Sequence, residues 1–338
     1  MGSTPVGISA SRGAAILGLS EYQTQFEVWQ VLMEEREPGF SAARGYLLPE
    51  RKDSAPLRWG KAFEDAVIAL AEEAHDRPII DRERFYGGPC GDSGVPVTCH
   101  IDGMYINEPG VLELHEGKTT SAFPFREKWG EPGTDRVPQT YQVQGQHQLV
   151  CTKAGLVIFS VLVFPEAQDA FEKMGRVIVQ NGAGEPCIQI DGAFCRPCRD
   201  WAEILAEMGY FHQYPVPADP DAQKLLLEAY DHFWRVHVLG ARDPELSTYD
   251  DVRRAFPEPV GTCVVDDETA GLFAERDAIK DEIGGKGPLA KRADELKVEI
   301  LRRARTMGAV KDEESEKKII FRDAQGKKLG QFDGKSFR

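Results

Sequence analysis

Asp102, Glu116 and Lys118 are the residues of this chain whose types and spacing point most directly to chemistry. The run His100–Thr120 sets Asp102 near the end of one apolar strand. Glu116 and Lys118 fall near the end of the next, with a Pro109-Gly110 turn between them. Hard divalent cations prefer oxygen ligands. One or two such ions activate water and neutralise a phosphate and its leaving oxygen. Strand side chains alternate faces, so Glu116 and Lys118 point the same way and Gly117 the other. The set suits hydrolysis of a phosphodiester, with metal on Asp102 and Glu116, helped by the Gly117 carbonyl. Lys118 then stands beside the attacking water.

An acid two residues before a lysine is common, and this chain repeats the pattern at Glu50-Arg51-Lys52, Glu295-Leu296-Lys297, Glu316-Lys317-Lys318 and Asp333-Gly334-Lys335. Most such pairs are solvated surface charges. Only His100–Thr120 combines an upstream aspartate, two strand-like runs and a third carboxylate, Glu64. Glu64 opens a helix whose apolar positions Phe63, Val67, Ile68 and Ala71 follow the helical period. It is also readable as a first-turn acid favoured by the helix dipole. Downstream, Pro138 can begin a helix in which Tyr141 shares a face with Gln144 or Gln148. That polar, uncharged face could hold a phosphate or a water, or could be an exposed glutamine-rich surface.

The order of these elements carries a family resemblance. Ile8-Ser9-Ala10-Ser11, Trp59-Gly60-x-x-x-Glu64, Asp102-Gly103, Glu116-x-Lys118-Thr119-Thr120 and Pro138-x-x-Tyr141-x-x-Gln144-x-Gln146-His147 together resemble the YqaJ-like viral recombinases. These are phage-type alkaline exonucleases of the PD-(D/E)xK superfamily, related to the lambda exonuclease. The resemblance spans roughly residues 7 to 165, and more loosely reaches Pro244.

It implies an α/β (α+β) fold with a restriction-endonuclease-like core: a mixed central sheet flanked by helices, with the site at a sheet end. It implies Mg²⁺-dependent, or Mn²⁺-dependent, 5′→3′ digestion of one strand of linear duplex DNA in phage-type recombination. Asp102 and Glu116 resemble the metal ligands, Lys118 the catalytic lysine, Glu64 the helix acid near the metal and Gln144 the motif glutamine. Ser11, Arg12, Trp59 and Tyr141 fall where DNA contacts are expected. The lambda-type 5′-phosphate pocket has an arginine shortly before the serine motif. Here that stretch is Gly2-Ser3-Thr4-Pro5-Val6, and Arg12 follows Ser11 instead. Implied partners are duplex DNA ends, a single-strand annealing recombinase, and further copies of the chain in a trimeric ring. The implied setting is the cytoplasm of a bacterial host, with a phage or prophage as the source. A Cas4-like or structure-specific endonuclease with the same metal site, or an inactive DNA-binding module, are the alternatives.

The 338 residues carry 41 basic and 55 acidic side chains, a net charge of −14. That argues against a protein that coats DNA nonspecifically with a broad basic surface. It leaves room for basic residues lining one groove. No apolar run reaches membrane-spanning length. Seven cysteines suggest no disulfide framework. Cys195-Arg196-Pro197-Cys198 has metal-ligand spacing, and Cys187 or His212 could complete a zinc site. Some PD-(D/E)xK relatives carry an iron–sulfur cluster after the core, yet the usual trailing cysteine is absent here, since Arg199 to Phe211 contains none. Free thiols are the other reading.

Residues 1–256 read as the nuclease domain, interrupted by an irregular insertion over 165–215 that holds the cysteine cluster. Residues 257–338 read as a charged helical hairpin, broken at Gly287-Pro288. A two-stranded ribbon over Lys318–Arg322 and Lys328–Phe332 follows it.

Overall fold

The structure, a computed structural model, describes residues 6–49, 53–92, 94–106, 112–255, 261–282, 288–310 and 318–338. Tertiary contacts divide the chain into two units. Met1–Leu19 joins Arg51–Trp234, and Ser20–Glu50 joins Arg235–Arg338.

The first unit is built on a four-stranded mixed sheet in the order β10-β6-β5-β4. Its strands are β4 (Gly103–Ile106), β5 (Leu112–Ser121), β6 (Leu156–Phe164) and β10 (Phe211–Pro217). β5 and β6 are parallel, and the two outer pairings are antiparallel. β6 reads LVIFSVLVF and is buried along nearly its whole length, as expected of a strand covered on both faces. A second sheet, β1-β3-β2, holds β1 (Ile8–Ser9), β2 (Phe85–Cys90) and β3 (Val95–His100). The one apolar strand expected to carry Asp102 near its end is therefore two strands in two sheets. Ile101 and Asp102 form the break between them. The Pro109-Gly110 turn lies outside the described residues.

Two helices position the site. Ala55–His75 begins with Pro56 in its first turn, where a missing N–H costs nothing. Its stripe of Trp59, Ala62, Phe63, Ala66, Val67 and Leu70 packs on Leu162 and Phe164 of β6. Gln139–Thr152 crosses over between β5 and β6. A Cβ at Gly145 would lie 2.9 Å from Val157 and 3.2 Å from the Phe159 ring. The glycine thus lets this helix settle close to the sheet, bringing its neighbour Gln144 near β5.

His147, one turn along, is buried between sheet and helix. Its Nε2 donates to the Thr98 carbonyl at 3.0 Å, so Nδ1 accepts from the Tyr230 hydroxyl at 3.0 Å. Burial lowers its pKa to about 4. The unfolded imidazole titrates near 6.5. The neutral native form is therefore fully favoured above pH 6.5, and stability falls as pH drops from 6.5 toward 4. The loss is on the order of 3 kcal/mol. Urea unfolding across this range should show the decline, and His147→Gln should make it shallower.

Segment 165–215, expected to be irregular, is ordered. It contains a helix at Gln168–Lys173 and an antiparallel meander of β7 (Arg176–Gln180), β8 (Pro186–Ile190) and β9 (Phe194–Pro197). A helix at Cys198–Glu207 and the start of β10 complete it. Ile188, Cys198, Ala202 and Leu205 pack it onto the Ala55–His75 helix. Short strands joined by tight turns leave only a weak periodic signal, which is why the stretch reads as loop.

The second unit gathers residues far apart in sequence. Helix Gln25–Arg36 opens with a capping box between Thr24 and Glu27. The Thr24 hydroxyl also donates to Asp251 at 2.7 Å. Trp29 Nε1 and Arg36 donate to the carbonyls of His237 and Val238, both at 2.8 Å. The C-terminal part shows the expected helical hairpin, Asp267–Glu282 and Pro288–Met307; the break between the helices lies outside the described residues. The expected ribbon, β12 (Ile319–Arg322) and β13 (Lys328–Phe332), gains a third strand, β11 (Gly261–Val264), parallel to β12. The boundary expected at 257 and the observed division differ because residues 20–50 and 235–255 belong with this C-terminal part. Such pairings across the chain leave no local pattern in the sequence.

Candidate active site

β4 and β5 run antiparallel with Gly103 opposite His115. One step further along this register, Asp102 stands level with Glu116. The Gly117 N–H donates to Asp102 Oδ2 at 2.8 Å. Lys118 Nζ donates to Glu116 Oε1 at 2.6 Å. Its ammonium lies 5.0 Å from the centre of the Tyr141 ring, a cation–π distance. Gln144 also donates to Glu116 Oε1, and Gln148 donates to Oε2 at 2.6 Å. Glu116 is only 3 % exposed, so these donors are what its charge has in place of water.

The charges are strained in one direction. Burial raises the Asp102 pKa to about 7, and the Glu116 charge adds to the rise. Lys118 and the Gly117 N–H oppose it, and Glu64 adds a little more. Burial likewise raises Glu64, with Glu83 and Asp65 contributing. Lys118 is pulled down by burial, but Glu116, Asp102 and Tyr141 outweigh this and hold it above the ordinary lysine range. It is therefore a cation at any working pH.

Asp102, Glu116, Lys118, Gln144 and Tyr141 thus come together, with Glu64 half-buried within electrostatic reach. Gln148 is a fuller member than its spacing alone implied. Its signal was the i, i+4 relation to Gln144 on one helix face. For Gly117, the described contact is its N–H on Asp102. Ser11 and Arg12 lie on the short 3₁₀ turn after β1, and the Ser11 Oγ is 3.2 Å from that of Ser9. Trp59 corrects the expectation of a DNA contact. It is 1 % exposed, stacks on Phe63 and Phe171, and donates to Glu172 at 3.3 Å. It is a core residue that holds the Glu64 helix to the sheet.

The look-alike pairs separate on geometry. Asp333 accepts from the Lys335 and Ser336 backbone in a turn. Lys297 pairs with Asp294, and Glu295 with Arg292, along one helix. Glu50, Lys52 and Glu316 lie outside the described residues.

The zinc or iron–sulfur expectation is also corrected. Among the described residues, no group of three or more His, Cys, Asp or Glu side chains is arranged to hold a metal ion. Cys187 and Cys198 are each 1 % exposed, and Cys198 packs in the apolar cluster beside Ala202. His212 stacks on Phe125 at 4.8 Å. The main site offers a carboxylate pair. Its chemistry fits a hard divalent ion: oxygen donors side by side, with Asp102 penalised by the charge of Glu116. Added positive charge there would relieve that penalty.

Residues 4–155 match the family model described as the YqaJ-like viral recombinase domain. The match takes in every residue of the Asp102–Glu116–Lys118–Gln144–Gln148 cluster. An uncharacterized protein, YqaJ of Bacillus subtilis (strain 168), is 27 % identical over 143 residues, which is 42 % of this chain and 38 % of that protein. The alignment with this curated relative therefore spans well under half its length. An alkaline exonuclease, LHK-Exo, from Laribacter hongkongensis is 12 % identical with a TM-score of 0.43, covering 69 % of this chain and 89 % of its own. A phage-related exonuclease from Haemophilus somnus 129PT is 9 % identical with a TM-score of 0.40, covering 71 % and 98 %.

Proposed function

We propose that this protein is a metal-dependent deoxyribonuclease, an exonuclease that digests one strand of linear duplex DNA, 5′→3′, in phage-type recombination. The arrangement of Asp102 and Glu116 beside a charged Lys118, inside the YqaJ-like domain, carries the reading. Asp102 and Glu116 would hold Mg²⁺ or Mn²⁺, with the Gly117 carbonyl as a further oxygen donor. Such an ion, when bound, supplies an activated water and neutralises charge at the phosphate. Lys118 then stabilises negative charge growing on the phosphoryl oxygens. The Tyr141 ring and Glu116 keep its ammonium in place. Gln144 and Gln148 fix the Glu116 carboxylate, so its oxygens need not reorganise during the reaction. Glu64 would hold a water near the same centre, and Ser11 and Arg12 would contact the DNA strand.

The protein would act on DNA ends, hand the exposed strand to a single-strand annealing recombinase, and assemble as a trimeric ring. The cytoplasm of a bacterial host, with a phage or prophage gene, is the setting this implies. Linear and covalently closed circular duplexes, labelled at either the 5′ or the 3′ end and incubated with Mg²⁺, test the activity. Linear DNA should shorten from its 5′ ends while circles persist. Equal cleavage of circles would establish an endonuclease instead. Light scattering tests the ring: a monomer would remove it and leave the nuclease reading standing.

Gln148 gives a further test. It touches Glu116 rather than any reacting atom, so it is a positioning residue. Gln148→Leu should raise the Mg²⁺ concentration needed for half-maximal rate by about 10–100-fold, the usual scale for a group supporting a metal ligand. DNA affinity in Ca²⁺ should stay unchanged. An unaltered Mg²⁺ requirement would show that the amide holds nothing of consequence.

A further inference from the structure

On the face of the sheet opposite Glu116 and Lys118 lies a buried imidazole that no role described so far uses. His115 and Ser160 are both 0 % exposed. Gly117 pairs with Ser160, and Ser160 with Gln213, across β5, β6 and β10. Paired strand residues share a face, as do residues two apart on one strand. His115, Gly117, Ser160 and Gln213 therefore lie together. His115 Nδ1 is 3.4 Å from Ser160 Oγ, which accepts from the Gln213 amide nitrogen at 3.2 Å. Tyr105 meets the imidazole edge-on, with 6.1 Å between ring centres. His115 Nε2 is buried and has no hydrogen-bond partner among the described residues, a costly state for a polar atom.

Gly117 shows where that nitrogen points. A Cβ at Gly117 would lie 3.3 Å from Val67, 3.6 Å from Asp102 Oδ2 and 3.7 Å from His115 Nε2. The unpartnered nitrogen and the carboxylate oxygen thus border one methyl-sized space over the glycine, with Val67 on its third side. The hydrogen bonds behind the ring settle which nitrogen carries the proton. Burial lowers the His75 pKa, and a hydrogen bond to Gln213 acts the other way. An acceptor oxygen has that effect, so the Gln213 amide oxygen faces His75 and its nitrogen faces Ser160. Ser160 Oγ, already accepting, donates its own proton to His115 Nδ1. Burial lowers the His115 pKa to about 3, so the ring is neutral and its one proton sits on Nε2. A donor therefore faces the space that Asp102 borders.

The two carboxylates are unequally supported. Glu116 is held by Lys118, Gln144 and Gln148. Asp102, among the described residues, accepts from the Gly117 N–H. Polar groups behind a metal-bearing side chain fix its orientation. We propose that His115 is a positioning residue for Asp102: its Nε2–H, aimed across Gly117, steadies the carboxylate in the orientation that takes a divalent ion. The inference rests on the metal-site reading given above. It extends that site through the sheet, along Gln213, Ser160 and His115. It also gives the glycine at 117 a purpose besides its carbonyl, since a side chain there would stand between donor and carboxylate.

The test uses the full-length protein without DNA, and Mn²⁺ as the probe, its binding followed by loss of the free-ion electron paramagnetic resonance signal. His115→Leu should weaken Mn²⁺ binding about tenfold or more, the usual scale for a group behind a metal ligand. His115→Gln places an amide nitrogen where Nε2 stands and should bind Mn²⁺ nearly as wild type does. His115→Asn reaches only the Nδ1 place and should fall with the leucine variant. Wild-type affinity in His115→Leu overturns the proposal, as does an equal loss in all three variants, which would mark a merely structural histidine. If His115→Leu does not fold, the Gln and Asn variants decide: equal affinities overturn the proposal. Nitrogen NMR of the imidazoles gives an independent readout, with His115 assigned as the signal that His115→Gln removes. Its proton should be on Nε2, and a proton on Nδ1 would overturn the inference. Wild type is also scored for Mn²⁺ binding against Asp102→Ala and for DNA cleavage with Mg²⁺. Failure of wild type to bind Mn²⁺ would overturn the metal-site reading itself. Binding without cleavage would overturn the nuclease reading and leave the His115 variants to decide this inference.

Discussion

Asp102→Ala and Glu116→Ala should each abolish Mg²⁺-dependent cleavage while duplex binding in Ca²⁺ persists. The two carboxylates are level across β4 and β5 and are the only acids paired in this way around Lys118 among the described residues. Neither can replace the other, because Glu116 is already engaged by Lys118, Gln144 and Gln148. Stability should respond in the opposite sense. The Asp102 pKa is raised in the native state, so the native protein favours its protonated form. That stabilisation is complete below the unfolded value, near 3.9, and is lost as pH rises toward 7. In EDTA at pH 8, Asp102→Asn should therefore melt above wild type, with the gap closing as pH falls to 4. A more stable, inactive variant is the signature of a site that holds charge for function at the expense of the fold. Near-normal cleavage by Asp102→Ala or Glu116→Ala would sink the metal assignment.

Lys118→Ala should lose at least about a hundredfold in rate, the usual scale for one electrostatic donor aimed at developing charge. The Lys118 side chain is 17 % exposed, and in such a setting a point charge is weakly screened. The same substitution leaves Glu116 short of its cationic partner, so a drop in melting temperature should accompany the kinetic loss. Lys118→Arg keeps the charge but should not restore the rate. A planar fork cannot reproduce the point charge of an ammonium and presents its protons differently. Single-turnover rates at saturating Mg²⁺ separate this from a binding defect. A loss below tenfold would move the electrostatic role to another residue.

The core of the site was legible because its chemistry is local in sequence. Glu116 and Lys118 are two apart on a strand, and Asp102 stands at the start of the neighbouring strand just upstream. The amides that hold Glu116 fall at helical spacing on the segment that follows. What was not legible depends on depth. Trp59 sits in a recognisable motif, but a tryptophan is written the same way whether it faces DNA or Phe171. Only packing reveals that it is core. The clustered cysteines had a plausible ligand spacing, yet Cys198 begins a helix and turns inward, so spacing alone misled. His147 was readable as part of the motif, but its hydrogen bonds to Thr98 and Tyr230 link segments that share no local pattern.

The second unit is assembled from two stretches, Ser20–Glu50 and Arg235–Arg338, that flank Arg51–Trp234. Helix Gln25–Arg36 buries Phe26, Trp29 and Leu32, and the carbonyls that its Trp29 and Arg36 side chains reach come from His237 and Val238. On the ribosome these apolar side chains emerge early. They stay without those partners until all of Arg51–Trp234 has been made and the last third of the chain follows. At typical elongation rates that wait is on the order of ten seconds or more. A helix made before the first unit's main stretch is therefore completed only after it. A premature stop before residue 235 would leave a helix with a sticky face on an otherwise finished catalytic unit, a form that chaperones or proteases would be expected to recognise.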